Sequence, residues 1–513
     1  MYLVSSTEMR LLEEKAAETY SLSPRVLMEA AGIAAFNYVR EILGEDLQGK
    51  RIFICAGRGN NGGDALVLAR YLGNAAATVR IALTNKPEQF QGPAAEALRS
   101  VTAMIARDVD EKLLAGSWDL IVDGLIGTGL QGAVTGLTKE LVGFINNQTA
   151  PVLALDIPTG VNADTGEITD NCCVQANYTI TFGLPKIGLF CYPAPDYVGK
   201  LRVDAIGLPL TSDTDLNLTK YLIEPSLVQA LLPQRPQVGH KGTFGHALTI
   251  GGSPGMLGAP CLAALGALRV GAGKSTVAGP ARYSSLLATK LTEVMTMELA
   301  DNQGYITTAA NKALVSSLHR YQAVLVGPGL GTNFETGAFL QTLISQTQCP
   351  LVLDADALNL MADQHRQFQS LLAQHQEPVI LTPHPGEMGR LMGLGSDQVQ
   401  ANRVEVAQAA AERWSAVVVL KGAHTLVATP DGRLYLNPTG NSSLATAGTG
   451  DVLAGVIVGL LAQGMQPWAA AVCGTYLHGL AGDKAAQAGY GVGLIAGDLL
   501  NYLPLVLQKY MDK

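Results

Sequence analysis

The stretch NSSLATAGTGDVLAG (441–455) carries a lone acid, Asp451, from a glycine–threonine turn straight into Val, Leu and Ala. A charge set against apolar residues is costly unless something uses it. Two chemistries fit. Thr449 can cap a helix over 451–462, with Asp451 favoured by the first-turn dipole. Alternatively the helix N-terminus binds a phosphate, and Asp451 works beside it as a base.

A second group of chemically capable residues lies in the first half. GRGNNGGD (57–64) fits G-x-G-x-x-G through Gly57, Gly59 and Gly62, after a strand pattern and before a helical one. Three glycines let backbone N–H groups approach an anion, which favours phosphate binding over mere tight packing. The next strand ends in Thr84-Asn85, without the acid that grips a ribose in an ordinary NAD dehydrogenase, so that mode is not expected. DGLIGTGLQG (123–132) and LDIPTG (155–160) place Asp123 and Asp156 at two further strand ends. Either acid alone could cap a loop; together with Asn61 they predict a shared polar pocket. TFGLPKIGL (181–189) holds Lys186 in an apolar turn, either snorkelling to the surface or partly desolvated and usable in acid–base work.

The elements that must position these residues follow one rhythm: apolar run, glycine-rich turn, helical pattern. Strands are expected at 51–57, 78–83, 119–124, 151–156 and 178–183, alternating with helices such as 63–72 and 136–146, hence a mostly parallel sheet. The polar stretch TSDTDLNL (211–218) reads as a linker. A second series then runs through 246–252, 275–280, 323–329, 350–356, 378–384 and 416–422. Its strands end in GPGLGTN (327–333), DADALN (354–359), TPHPGEM (382–388) and KGAHT (421–425), at the edge where doubly wound sheets hold ligands. His384, between two prolines, is expected to face a ligand, and Lys421-Gly422 suits a nucleotide phosphate or ribose. GAGKST (271–276) is not a P-loop: position 268 is Leu, a helix precedes it and a strand follows, so it reads as a helix C-cap.

At 513 residues, 48% hydrophobic and 15% charged, the chain is too long for one core and too apolar for disorder. A net charge of −8 without a basic stripe argues against a nucleic-acid partner. Seven cysteines without CxxC spacing point to a reducing compartment and no zinc site, and the adjacent Cys172-Cys173 read as buried filler. Ser5-x-x-Glu8 looks like a capping box rather than a signal peptide, and 452–481 is broken by Gln463, Gln466 and Pro467 before it could span a membrane. A cytoplasmic homo-oligomer is expected.

GRGNNGGDALVLAR, the GTGL loop, DIPTGVNADTG and TFGLPKIGL together resemble the YjeF-type NAD(P)H-hydrate epimerases, over most of 1–210. The resemblance implies a Rossmann-like domain over 1–212. It implies hydrate contacts from Asn60, Asn61, Gly62, Gly63, Asp64, Gly127, Thr128, Gly129, Leu130, Gln131, Gly132, Ala133 and Asp156. It also implies a potassium ion held by Asn61, Asp123 and Thr159. Thr159-Gly160-Val161 stands where the family more often has Ser-Gly-Leu, and the hydroxyl is kept.

Residues from about 225 to 505 resemble the ribokinase-like, ADP-dependent NAD(P)H-hydrate dehydratases. This implies a second α/β domain over 222–513 whose loop Gly448-Thr449-Gly450-Asp451 forms an anion hole with Asp451 as base. ADP contacts carry over to Lys421, Gly422, Ala423, His424, Thr425 and Gly450, and hydrate contacts to Ala259, Gly331, His384 and Asp451. Ser442-Ser443-Leu444 replaces a Pro-Gly-Met-like segment, and Ala447 replaces glycine.

The expected activity is repair of NADH or NADPH that has gained water at nicotinamide C6. The first domain would exchange the R and S epimers through Asp156 and Lys186. The second would dehydrate the S form with ADP and Mg²⁺, giving AMP and phosphate. The alternatives are a small-molecule kinase of the thiamin-precursor type fused to a dinucleotide-binding module, or a non-enzymatic sensor.

Overall fold

Apolar runs closed by glycine, aspartate or histidine become the parallel strands of two sheets. The computed structural model describes residues 1–104, 117–130, 132–209 and 216–511, in two units: Tyr2–Leu218, and Met1 with the chain from Thr219 on. The expected linker partly overlaps 210–215, outside the described residues, and the units part just after it.

In the first unit β1 (Arg51–Ala56), β2 (Thr78–Leu83), β3 (Leu120–Gly124), β4 (Val152–Leu155), β5 (Tyr178–Phe182) and β6 (Lys200–Asp204) form a six-stranded sheet in the order β2-β1-β3-β4-β5-β6. All pairings are parallel. Ile52, Phe53, Ile54 and Cys55 are fully buried, as expected of a strand covered on both faces. Helices α1 (Ser6–Tyr20), α2 (Pro24–Leu43), α3 (Asn60–Asn74) and α4 (Gly136–Asn146) accompany it. The Ser5/Glu8 capping box that opens α1 is present. The β1–α3 turn needs its glycines. A Cβ on Gly62 would lie 1.7 Å from the Gly57 carbonyl oxygen, and one on Gly57 would lie 1.9 Å from that of Leu125. Both neighbours are backbone and cannot step aside.

In the second unit the sheet order is β7-β16-β15-β14-β13-β12-β11-β8-β9-β10. Its strands are β7 (Lys220–Leu222), β8 (His246–Ile250), β9 (Lys274–Pro280), β10 (Met295–Leu299), β11 (Ala323–Val326), β12 (Leu351–Leu353), β13 (Val379–Leu381), β14 (Val417–Leu420), β15 (Leu426–Ala428) and β16 (Leu434–Leu436). Only β14–β15 and β15–β16 of these pair antiparallel. Helices that matter for the site are α5 (Gly258–Arg269), α6 (Asp356–Asp363), α7 (Pro385–Met392), α8 (Thr449–Ala462), α9 (Pro467–Gln487) and α10 (Ala496–Met511). GAGKST does link the end of α5 to β9, with Gly271 at a left-handed φ of 104°. Among the described residues, no helix is long and apolar enough to cross a membrane.

Helix α8 is apolar nearly all round and is pressed against α5. A Cβ on Gly455 would sit 2.0 Å from the Ala263 carbonyl oxygen. Gly455→Ala is therefore expected to push the two helices apart. A loss of about 1–3 kcal/mol or more is expected, read as a lower thermal midpoint for dehydratase inactivation.

Candidate functional site

Each sheet gathers its polar residues at the carboxyl ends of its strands. In the first unit the strand order reverses between β1 and β3, and a cleft of about 830 Å³ opens there. Asn60, Asn61, Asp64, Gly127, Thr128, Gly129, Leu130, Ala133, Asp156 and Lys186 line it. Gly62 and Gly63 lie in the first turn of α3, behind the lining, and Gly132 lies just beyond it. Gln131 lies outside the described residues.

Asp156 follows β4 with a left-handed φ of 61°, a conformation that aspartate tolerates better than most residues. Its Oδ1 accepts from Lys186 Nζ at 2.5 Å and from Thr181 Oγ1 at 3.1 Å. Lys186 is only 2% exposed and also donates to the Phe182 carbonyl at 2.9 Å. The lysine therefore does not snorkel: it is a desolvated ion-pair partner in the cleft wall. Glu13 of α1 lines the same cleft. Burial raises the pKa of Glu13 and takes that of Asp64 well above the usual carboxylate range, with the Asp156 charge adding to both. Nothing in the sequence marks Glu13, because α1 carries no motif beyond its capping box and is far from the strand ends along the chain.

Asp123 is fully buried. Its oxygens accept from Thr159 Oγ1 (2.7 Å), Thr159 N (2.8 Å) and Leu125 N (3.1 Å). Burial still lifts its pKa to about 6, against those bonds. Asn61, 7% exposed, has neither amide atom hydrogen-bonded. Among the described residues, no cation is among the groups that shift Asp123 and the Asn61 amide oxygen has no partner, which suits a monovalent cation in an all-oxygen environment.

In the second unit, Asp354 ends β12, His384 follows β13, Lys421 follows β14 and Asp451 stands in the first turn of α8. Lys421 Nζ donates to Asp354 Oδ1 at 2.8 Å and lies 3.8 Å from Glu387 Oε2. A Cβ on Gly450 would lie 3.4 Å from that ammonium, so Lys421 reaches the head of α8. Burial, then the charge of Asp354, raise the pKa of Asp451 to about 7 while Lys421 opposes them. Gly331 donates its N–H to Asp356 Oδ2 at 2.8 Å, and Ala259 is in the first turn of α5. His384 caps α7 through Nδ1, which accepts from Gly386 N and Glu387 N, and it is half exposed. Thr425 Oγ1 donates to the Gly422 carbonyl at 2.9 Å, closing the 421–425 turn.

One sequence reading needs correction. The helix begins at Thr449, and its cap is Gly448 with a left-handed φ of 91°. Thr449 Oγ1 instead donates to the Leu444 and Thr446 carbonyls, both at 2.9 Å, and pins the preceding loop. A left-handed cap is open to glycine without cost, which the threonine could not match. His478 of α9, absent from the sequence reading, bonds the Thr449 carbonyl through Nε2 at 2.9 Å. Burial lowers its pKa to about 4, so it serves as a neutral donor under the loop. No motif marks it; it lies in a long apolar helix.

Comparison with known proteins bears on both sites. Residues 24–188 match the family described as YjeF-related protein N-terminus, and residues 247–505 match the NAD(P)H-hydrate dehydratase family. Proteins named Bifunctional NAD(P)H-hydrate repair enzyme Nnr are similar over the whole length. The protein from Moorella thermoacetica is 41% identical, covering 100% of this chain and 98% of its own. The one from Escherichia coli K12 is 34% identical, covering 98% and 93%. The crystal structure of an ADP/ATP-dependent NAD(P)H-hydrate dehydratase from Bacillus subtilis, co-crystallised with ATP/Mg²⁺, is also similar. It has a TM-score of 0.50 and 34% identity, covering 56% of this chain and 98% of its own.

Proposed function

The chain belongs to the bifunctional NAD(P)H-hydrate repair enzymes, and from that premise we propose a division of its chemistry between residues 1–212 and 222–513. It is an enzyme that repairs hydrated NADH and NADPH by epimerisation and by nucleotide-dependent dehydration. The observation that carries the residue assignment is that each unit brings a buried lysine–aspartate pair to its strand ends: Lys186–Asp156, and Lys421–Asp354 beside Asp451.

In the first cleft the hydrate's C6 hydroxyl sits on a carbon bonded to nitrogen. The C6–O bond breaks as the nitrogen lone pair forms an iminium. Lys186 gives the departing hydroxide a proton, and Asp156 takes one from the water that re-enters at either face. Asn60, Asn61 and Asp64 with the 127–133 loop hold the nucleotide. Asn61, Asp123 and Thr159 would hold a potassium ion, which would supply a fixed positive charge balancing the buried Asp123 carboxylate. Asp123→Ala is expected to weaken epimerisation and abolish its stimulation by potassium, while leaving ADP-driven dehydration of S-hydrate unchanged. Rates at zero and saturating potassium check this.

In the second site Asp451 takes the proton of the S-hydrate hydroxyl as that oxygen attacks the terminal phosphorus of ADP and AMP leaves. The C6–O bond of the phosphate ester then breaks, phosphate departs, and loss of a C5 proton restores the C5=C6 bond. The N-terminus of α8 and Lys421 stabilise charge on the transferred group, so this step rests on positioning and electrostatics. Lys421 to Thr425 and Gly450 contact the nucleotide; Ala259, Gly331 and His384 contact the hydrate. Among the described residues no three His, Cys, Asp or Glu side chains are grouped to hold a metal. Magnesium would therefore arrive on the nucleotide phosphates, keeping most of its waters.

The net charge of −8 without a basic stripe supports small-molecule rather than nucleic-acid partners. The test is to incubate the whole chain with mixed hydrate epimers and ADP. Absorbance of reduced nicotinamide should return, with one AMP and one phosphate per NAD(P)H. A stable phosphorylated product without phosphate release would instead favour a simple kinase.

A further inference from the structure

We propose that Asp354 is a positioning residue for the dehydration: it holds the Lys421 ammonium at the head of α8, beside Asp451, with Glu387 as a second support. The inference rests on the reading of Asp451 as the base.

Asp354 is 1% exposed. Its Oδ1 accepts from Lys421 Nζ at 2.8 Å and from Thr382 Oγ1 at 2.7 Å, and its backbone N–H donates to the Val326 carbonyl at 3.1 Å. The carboxylate is thus fixed by β11, β12 and β13 together. Glu387 accepts from His384 N at 2.8 Å, which holds its Oε2 3.8 Å from the ammonium. A free lysine side chain has four rotatable bonds; here its end is held by two carboxylates. Such a pair is weak evidence for stability, because removing both charges from water costs about as much as their attraction returns. Its position is what it contributes.

The backbone points the same way. Ala355, between Asp354 and Asp356, has φ 51° and ψ −117°, a conformation costly for a residue with a side chain. The strained residue turns Asp354 toward Lys421 and Asp356 toward the N–H of Gly331. The charged and titratable groups around Asp451 are Lys421 from β14, Asp354 and Asp356 from the end of β12, and Glu387 from α7. Arg390 and His384 lie further out on α7, and neutral His478 sits beneath the loop. Around Gly448, where an added Cβ would lie 4.0 Å from Asp451 Oδ2, stand apolar Leu262 from α5 and Ala496 from α10.

The test uses the full-length chain with Asp354→Asn, which keeps the shape and an oxygen for Thr382 but removes the charge. Epimerisation in the same molecule reports that the chain is intact. The turnover number for S-hydrate is expected to fall about tenfold or more, because a displaced ammonium mispositions the transferred group. The acid limb of kcat/KM should also move to lower pH, by about half a unit or more. Both changes act in that direction: a negative neighbour of Asp451 is gone, and the freed ammonium has only Glu387 and Asp451 left to pair with. Lys421→Met should move the limb to higher pH. Thr382→Val loosens Asp354 without changing charge; it should lower the turnover number by a smaller factor, with a small fall in melting temperature from the lost buried hydrogen bond, and it decides the matter if Asp354→Asn does not fold. Wild-type turnover and an unmoved limb in Asp354→Asn would overturn the proposal, as would a slower rate with an unmoved limb and a lower melting temperature. Wild-type turnover in Thr382→Val would overturn it if Asp354→Asn is lost. If Asp451→Asn itself retains dehydration, the base assignment fails, which is a separate result.

Discussion

Asp451→Asn is expected to lower ADP-dependent dehydration of S-hydrate by about 10²–10⁴-fold, the usual consequence of removing a positioned general base, while R/S exchange and ADP binding persist. The substitution keeps the size of the side chain and leaves Gly448 as the helix cap, so the loss is not one of folding. Stability moves the other way. The carboxyl of Asp451 is raised from its usual value of 3.8 to about 7 by burial and by Asp354. A group raised on folding contributes stability that is present below its unfolded pKa and lost as pH rises through the folded one. At about pH 8 the wild-type chain has lost that contribution; the asparagine variant, which never ionises, has not. Its melting temperature at about pH 8 is expected to equal or exceed that of the wild type. Dehydration by the wild type should also rise with pH through about 7, as the base loses its proton. A variant that turns over at the wild-type rate would reduce Asp451 to a first-turn acid.

Asp156→Asn is expected to bring R/S exchange down to the spontaneous rate, a loss of about 10²–10⁴-fold, with S-hydrate still dehydrated. It also leaves the buried Lys186 without its carboxylate partner, with the Phe182 carbonyl, the Thr181 hydroxyl and the new amide oxygen as neutral acceptors. Breaking one side of a buried pair typically costs about 3–5 kcal/mol. Asp156 is partly exposed and asparagine keeps an oxygen, so the lower end is expected. Replacing Lys186 by Met in the same chain removes the stranded charge and should recover stability without recovering activity. Conversion of pure R-hydrate, followed with ADP and an excess of intact second-site activity, checks the first claim, and thermal melts check the second.

Much of this was legible because the strands that carry the sites are buried on both faces. β1, β3, β11 and β12 are apolar runs ended by Gly or Asp; their starts fall within a residue of expectation, while β11 and β12 end three residues earlier than expected, where the polar loops take over. The strands missed are short or mixed with charge. KLRVD (200–204) at the sheet edge is half buried and has no apolar run, and Leu426–Ala428 with Leu434–Leu436 form a short hairpin whose Asp431-Gly432 turn was the available signal. The motifs gave the residues gathered at the strand ends, since those lie in loops with special backbone needs. They did not give the residues behind them. Glu13 and His478 act through distances across the fold and lie in no motif, while Thr382 and Glu387 lie within TPHPGEM but show their partners only once the strands are assembled. Thr449 shows the converse: its type suits a cap, but its neighbour Gly448 can take a left-handed φ more easily, and the hydroxyl went elsewhere.

The central claim is that two separate sites in one chain act in sequence. It is tested most directly by supplying pure R-hydrate and ADP to Asp156→Asn, to Asp451→Asn, and to an equal mixture of the two, following the return of reduced-nicotinamide absorbance. Each variant alone should produce NAD(P)H no faster than spontaneous epimerisation or spontaneous loss of water allows. The mixture should repair R-hydrate at a rate approaching that of the wild type, because the S-hydrate made by one chain diffuses to the other. Repair by either variant alone at the wild-type rate, or a mixture no better than its parts while each retains its own half-reaction, would contradict the account.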